Sequence, residues 1–162
     1  MRLFHYITVL FPVFFSVSAV HPVEMDFERR GVSFGGTHLV GFDLEYYSGN
    51  YSLLFSFGSF DFSDICASAG CRAYIGDSEN RPYAGIALWE VVAFPSSGGV
   101  GFLTLVNIPL GYETEISAGG YVGFELGFSF PVSVVSVGTS EKPSISSNST
   151  VIMPGIYYRW DY

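Results

Sequence analysis

The sequence predicts an all-β, antiparallel up-and-down barrel of about eight strands that spans a membrane, after a cleaved signal peptide. Three observations lead to this prediction. Apolar residues recur at every second position along most of the chain, as in strands with one apolar face. Charged residues make up 14% of the chain, against roughly 25% in ordinary globular chains. The chain also ends in alternating aromatic residues. This composition indicates a surface that is not covered by water alone.

The first 19 residues have the pattern of a secretory signal peptide. Arg2 supplies a positive charge, residues 3–17 are almost wholly apolar or aromatic, and small residues precede a cleavage site after Ala19. Pro12 and early polar residues disfavour a retained transmembrane helix, which needs about 20 apolar residues. The remaining residues, 20–162, are then expected to form one barrel domain.

Two-faced strands are clearest at residues 40–47 and 121–130. In each, apolar and aromatic residues at even numbers alternate with mostly small, acidic or tyrosyl residues at odd numbers. Further strands are expected at residues 25–34, 51–62, 83–94, 100–108, 133–138 and 151–162. The total is about eight strands.

The predicted connections alternate in length. Residues 48–50 and 95–99 are tight turns, whereas residues 63–81, 110–120 and 139–150 are long and polar. Outer-membrane barrels have short periplasmic turns and longer external loops, so this asymmetry favours such a barrel. The scheme also requires a tight turn near Pro131.

The polar face of the strands indicates which side meets lipid. It consists mostly of Gly, Ser, Ala and Tyr with a few acids, as expected inside a narrow barrel and unlike a face exposed to water. The apolar face is therefore predicted to point towards lipid. A soluble, secreted barrel that binds an apolar ligand inside is the alternative, and it predicts export without dependence on detergent.

The C-terminus has apolar and aromatic residues at alternate positions: Ile156, Tyr158, Trp160 and Tyr162. Here the chain resembles bacterial outer-membrane proteins, whose final strand carries such a signal for the barrel-assembly machinery. In architecture and length, the whole mature chain resembles the small eight-stranded family, such as the OmpA and OmpX barrels. The resemblance implies an outer-membrane location and contact with outer-membrane lipid and the assembly machinery. It carries over no particular functional residue.

The lumen of so narrow a barrel should be packed with side chains. Charges in such a lumen must be paired, because burial of an isolated charge is costly. We expect an internal ion-pair network of Arg159 with Asp43 or Glu45, Glu125 at mid-depth, and Arg29 or Arg30 from the first strand. The network could be a plug that rigidifies the barrel, or the gate of a narrow solute channel.

Candidates for catalysis are few. His38 is the weak candidate for a base, at the external end of a strand where an outer-leaflet lipid-modifying hydrolase could use it, but no nearby serine has a recognisable nucleophile setting. Residues 81–85, Arg-Pro-Tyr-Ala-Gly, are similar to a short motif in the lipid A 3′-O-deacylases, and are expected to close the longest external loop. Asn80 stands where that motif has an acid, so no catalytic role is carried over. The sequence identifies no enzyme.

Cys66 and Cys71 are close enough in sequence to close a short loop, and a disulfide between them is expected to staple residues 63–81. A zinc site would need further Cys or His ligands, so no metal or cofactor is expected. The chain has 7 Lys and Arg against 15 Asp and Glu, with the basic residues scattered, which excludes a nucleic-acid partner.

The leading functional hypothesis is a non-enzymatic integral outer-membrane barrel. Its external loops, chiefly residues 63–81 and 139–150, would give structural support or contact an extracellular partner at the cell surface. The lipid-modifying hydrolase, the narrow solute channel and the soluble ligand-binding barrel remain as alternatives.

Overall fold

The structure, a computed structural model, describes residues 27–76, 80–96, 98–138 and 150–162. The predicted signal peptide, residues 1–19, and nearly all of the predicted loop 139–150 lie outside the described residues. The described part of the chain forms eight strands: β1 (Phe27–Gly35), β2 (His38–Ser48), β3 (Tyr51–Ser59), β4 (Asp64–Tyr74), β5 (Asn80–Ala93), β6 (Val100–Ser117), β7 (Gly120–Val137) and β8 (Val151–Asp161). Across the described ranges, no helix is long and apolar enough to cross a membrane.

The eight strands form a closed barrel. Each strand pairs antiparallel with the next, and β8 pairs antiparallel with β1, which closes the sheet on itself. Gly35 and Gly36 at the first hairpin have φ of 78° and 71°, a conformation that glycine adopts without steric cost. The prediction of an all-β, up-and-down barrel of about eight strands is confirmed.

The strands are strongly staggered. The residues that pair with Val32 can be followed from strand to strand in both directions around the barrel. Through β2, β3 and β4 the register reaches Glu90, and through β8, β7 and β6 it reaches Asn80. These two residues lie ten positions apart on the same strand, β5. For eight strands, this stagger corresponds to a tilt of about 40° from the barrel axis.

The barrel is apolar outside and charged inside. Outward side chains such as Phe57, Phe124 and Ile156 are about half exposed, whereas Arg159 and Glu45 in the interior are almost completely buried. This is the reverse of a water-soluble protein, and it matches a barrel whose exterior is covered by lipid. The soluble, secreted alternative is inconsistent with this surface.

The prediction that residues 63–81 form a long external loop is wrong. Most of this segment is β4 (Asp64–Tyr74), with four residues between the end of β3 and β4 and five between β4 and the start of β5. Several outward positions of β4 carry small residues, including Ala67, Ala69 and Ala73. The strand therefore lacks the apolar alternation that identified the others.

The predicted tight turn at Pro131 is also wrong. Pro131 lies inside β7 (Gly120–Val137), opposite Leu105 and beside a bulge between Thr104 and Leu105. A bulge interrupts the hydrogen-bond ladder locally, so the absence of a backbone N–H at Pro131 is tolerated there. The missed strand and the extra turn compensate each other, which is why the predicted number of strands is right.

With these corrections, two connections lie at the end of the barrel opposite to the predicted one. Residues 94–96 and 98–99 lie at the same end of the barrel as residues 36–37 and 60–63, which we call the outer end. The predicted loop 110–120 is mostly strand, and its turn at residues 118–119 lies at the opposite, inner end with residues 49–50 and Tyr162.

The predicted disulfide is wrong as well. Cys66 and Cys71 both lie on β4 and both thiols are free. They are an odd number of residues apart, so Cys66 is buried in the lumen while Cys71 is exposed on the outside. Five strand residues also span about 16 Å, too far for an S–S bond.

Candidate functional site: the barrel interior

Paired charges fill the inner half of the lumen. Within the described residues, four arginines and four carboxylates face one another there: Arg29, Arg72, Arg81, Arg159, Asp43, Glu45, Glu113 and Glu125. Arg159 is the most central, with Nη2 at 3.0 Å from Asp43 Oδ2 and Nη1 at 2.9 Å from Glu45 Oε2. Equal numbers of opposite charges allow a buried cluster of this size to exist.

The Arg29–Glu113 and Arg72–Glu125 ion pairs cross the lumen between strands that are not neighbours, whereas Arg81 and Glu113 pair across the adjacent strands β5 and β6. Arg29 Nη1 on β1 lies 2.8 Å from Glu113 Oε1 on β6. Arg72 on β4 pairs with Glu125 on β7, and Arg81 on β5 pairs with Glu113. The network therefore connects opposite walls of the barrel, which backbone pairing alone does not do.

A missing side chain lets Arg159 reach its partner. Gly31 on β1 pairs with Arg159 on one side and with Asp43 on the other, so the three residues form one row. A Cβ atom at Gly31 would lie 2.4 Å from Arg159 Cγ. The arginine side chain thus crosses over β1 through the space that glycine leaves.

The same arrangement occurs twice more with tyrosine in place of arginine. Over Gly123, the hydroxyl of Tyr157 donates to Glu113 at 3.3 Å, and over Gly111, the hydroxyl of Tyr83 donates to Glu125 at 2.8 Å. A Cβ atom at either glycine would lie within about 2.2 Å of the tyrosine ring. Glycines on the polar face are therefore positions over which long side chains pass.

Four tyrosines fill the space around these charges. Tyr47, Tyr74, Tyr83 and Tyr157 form one buried cluster, with ring centroids 5.2 to 6.5 Å apart in successive pairs. The hydroxyls of Tyr47 and Tyr74 each donate to Glu45 at 2.8 Å. The aromatic rings thus pack around the ion pairs, and their hydroxyls supply hydrogen bonds to the carboxylates.

The outer half of the lumen contains an apolar plug, which consists of Cys66, Trp89, Val91 and Leu105 with Phe60, Leu103 and Met153 packed against them. Because Cys66 was expected in a loop, reasoning from the sequence missed this plug. Between the plug and the charges lies a cavity of about 30 Å³, lined by polar groups that include Ser56, Ser68 and Asn107. This volume has room for about two water molecules.

His38 also lines this cavity and is almost completely buried. Its Nε2 atom lies 2.6 Å from Ser33 Oγ, and Ser33 Oγ donates to Asp43 Oδ1 at 3.0 Å. The serine therefore lies between the histidine and the acid, whereas a catalytic triad has the histidine in the middle. In this geometry the histidine does not take the serine proton, so the serine is not an activated nucleophile.

The sequence-predicted charges are placed as follows. Arg159 contacts both Asp43 and Glu45, whereas Glu125 pairs with Arg72 and Arg29 pairs with Glu113 and Asp161. Arg30 points outwards and pairs with Glu28. Reasoning from the sequence missed Arg72, Arg81 and Glu113, because it assigned residues 63–81 and 110–120 to loops.

The C-terminal residues Ile156, Tyr158, Trp160 and Tyr162 lie on the exterior side of β8 or just beyond it. The guanidinium of Arg30 stacks 3.4 Å over the ring of Tyr162, whose backbone N–H donates to the carbonyl of Glu28 at 3.0 Å. The end of the chain is thus attached to β1.

The Arg-Pro-Tyr-Ala-Gly run, residues 81–85, lies near the start of β5, at the inner end of the barrel. Its expected position beside the longest external loop is wrong.

No family model and no curated protein matches the chain. Among solved structures, the N-terminal β-barrel domain of Pseudomonas aeruginosa OprF is similar, with a TM-score of 0.63 and 15% identity over 85% of this chain and 98% of that domain. Acinetobacter baumannii CarO (13% identity, 83% of this chain, 97% of CarO) and Neisserial surface protein A (9% identity, 83% of this chain, 94% of that protein) each have a TM-score of 0.48. The likeness to the OprF domain shows the fold. That fold, with an apolar exterior and a charged interior, is that of an integral outer-membrane β-barrel, and the chain is located in the outer membrane.

Proposed function

We propose that the protein is a closed outer-membrane barrel, impermeable to solutes, whose role is structural support or surface interaction through the connections at its outer end. The observation that carries this proposal is the pair of successive closures in the lumen. The apolar plug fills the outer half and the charge network fills the inner half.

The energetics of the network support a permanent closure. Separation of Arg159 from Asp43 and Glu45 would leave buried charges without partners, at a cost of about 3–5 kcal/mol. The cross-lumen pairs of Arg29 with Glu113 and of Arg72 with Glu125 would have to separate as well before a path opened. A network of this kind is better suited to a rigid wall than to a channel.

The outer end presents a small ordered loop that suits surface contact. The Asp61 carboxylate accepts hydrogen bonds from the backbone N–H of Ser63 at 2.8 Å and from its hydroxyl at 2.6 Å, and these bonds lower the pKa of Asp61. Phe62, between them, is 83% exposed. We take this exposed aromatic side chain, next in sequence to an anchored acid, as the contact point for an extracellular partner.

We further infer that the chain is exported with cleavage after Ala19, and that the aromatic C-terminal residues on β8 are recognised by the assembly machinery. N-terminal sequencing of the mature protein should therefore start at Val20. Replacement of Tyr162 by Ser should slow assembly of the barrel in cells.

Conductance in planar bilayers tests the closed barrel. The purified barrel, shown to be folded by its heat-dependent gel mobility, is expected to add no discrete current steps, with a large porin as the positive control. Steps that change when Glu125 or Arg159 is neutralised would contradict the proposal and support a narrow channel.

Adhesion of cells that carry Phe62→Ser, at equal surface levels, tests the contact role, and unchanged adhesion would count against this loop.

A further inference from the structure

A row of polar residues interrupts the apolar exterior of the barrel. Glu90 on β5 pairs with Thr104 on β6, and Thr104 pairs with Ser133 on β7. Trp89 and Leu105, which flank this row along the chain, point into the plug, so Glu90 and Thr104 point outwards. The Thr104 hydroxyl donates to Glu90 Oε2 at 2.7 Å.

The row lies between apolar neighbours on both sides. Leu88 and Val92 flank Glu90 on the same face of β5, and Phe102 and Val106 flank Thr104 on β6. The carboxylate of Glu90 is consequently half-buried on a surface that otherwise suits lipid. A charge in such surroundings requires a partner.

The stagger of the strands places this row level with the first turn at the outer end. When the register is followed from Val32 in the two directions around the barrel, it reaches β5 at Asn80 and at Glu90. The position on β5 at the same height along the barrel axis as Val32 is midway between these two residues. Glu90 is therefore five residues closer to the outer end than Val32 is. Five residues above Val32 on β1 is Thr37, in the first outer turn. Glu90 thus lies level with the end of the wall at β1 and β2, and we take this level as the one at which headgroups begin.

The described part of the chain supplies no cationic side chain for Glu90. The full chain has seven Lys and Arg residues, of which four arginines are in the lumen and Arg30 pairs with Glu28 at the inner end. Arg2 and Lys142 lie outside the described residues. Among the described residues there is thus no cation at this level, and the lipid headgroups are the partner that we pursue.

We propose that Glu90, with the hydroxyls of Thr104 and Ser133, binds a divalent cation that bridges the barrel to phosphate groups of outer-leaflet lipid. Carboxylate and hydroxyl oxygens are the hard ligands that Mg²⁺ and Ca²⁺ prefer, and Mg²⁺ is commonly held by one or two carboxylates together with phosphates. The net charge of the chain is −8, so direct approach of an anionic headgroup is unfavourable. A bridging cation converts this repulsion into attachment. The inference rests on the outer-membrane location with the outer end facing outwards.

The test uses urea unfolding of the full barrel, followed by its gel mobility. The barrel is placed in vesicles of lipopolysaccharide with phosphatidylethanolamine, or of phosphatidylcholine alone, each with magnesium chloride or with EDTA. Magnesium should raise the urea midpoint of the wild type in lipopolysaccharide vesicles and leave it unchanged in phosphatidylcholine. Glu90→Gln should abolish this magnesium-dependent shift. Glu28→Gln, the same charge change on the exterior at the inner end, should retain it.

Several outcomes would overturn the proposal. A shift that persists in Glu90→Gln would show that the cation acts elsewhere. If Lys142→Gln lowers the midpoint in EDTA as much as Glu90→Gln does, Lys142 is the partner and the cation bridge is wrong. If Glu90→Gln does not fold, the double variant Thr104→Val/Ser133→Ala takes its place and should lose most of the shift. Because folding in phosphatidylcholine is measured in parallel, failure of the bridge is distinguishable from failure of the barrel itself.

Discussion

Arg159 and Asp43 form an ion pair with Nη2 and Oδ2 3.0 Å apart, although their strands, β8 and β2, are not neighbours in the barrel. The strand between them is β1, and the arginine crosses it above Gly31. Glycine at position 31 therefore leaves the space through which the arginine reaches its partner. More generally, the inward face of the strands has glycine where a long side chain from a neighbouring strand passes over it.

Gly31→Ala is expected to destabilise the barrel. The new Cβ would lie 2.4 Å from both Arg159 Cγ and the carbonyl oxygen of Tyr158, so a side chain and the backbone must both move. Overpacking of this kind costs about 1–3 kcal/mol. The measurement is the urea midpoint of the gel-mobility shift. Gly101→Ala is the matched control, because its Cβ would meet Ala93 at an ordinary 3.8 Å, and equal midpoints for the two variants would contradict the crossing.

Arg159→Leu should lower the free energy of unfolding much more than Arg30→Leu. Arg159 is buried between Asp43 and Glu45, and its loss leaves two carboxylates without their main cation, at about 3–5 kcal/mol. Arg30 is paired with Glu28 on the exterior, with both side chains partly exposed, and such pairs contribute about 0–1 kcal/mol. Unfolding in urea compares the two variants directly. Unchanged stability of Arg159→Leu would rule out a structural role for the network.

The sequence was sufficient for part of the network and could not supply the rest. Asp43, Glu45 and Arg159 stand on strands with clear alternation, so their inward direction could be predicted from the residues alone. Arg72 has the same inward parity within β4, but Ala67, Ala69 and Ala73 face lipid there, and small residues do not produce an apolar alternation. The sequence does not predict Glu113 as a member of the network for a related reason, because Gly111 and the acids near it resemble a polar loop.

Pro131 illustrates a second limit. A proline within a candidate strand argues for an interruption, because it donates no ladder hydrogen bond. In the structure, β7 accommodates it with a bulge opposite Thr104 and Leu105, so the strand continues to Val137. Whether such a bulge exists depends on the partner strand, and no local property of the proline segment reveals it.

The two cysteines should behave differently towards a small apolar thiol reagent. Cys71 faces outwards and is exposed, whereas Cys66 is buried in the plug beside Trp89. Mass spectrometry should find one labelled thiol in the folded barrel and two after denaturation, and Cys71→Ser should remove the label from the folded form. If the denatured protein takes no label before reduction and two labels after reduction, the two cysteines form a disulfide and this prediction is wrong.

Labelling of intact cells tests the exchange of the two connections. Ser96 lies in the connection at the outer end, and Ala118 lies in the turn at the inner end. In a Cys71→Ser background, where Cys66 is shielded by the plug, a membrane-impermeant maleimide added outside should label Ser96→Cys and leave Ala118→Cys unlabelled until the outer membrane is permeabilised. The reverse pattern would support the arrangement with a loop at residues 110–120 outside the cell. It would also place the polar row of Glu90 on the periplasmic side, away from the outer-leaflet lipid.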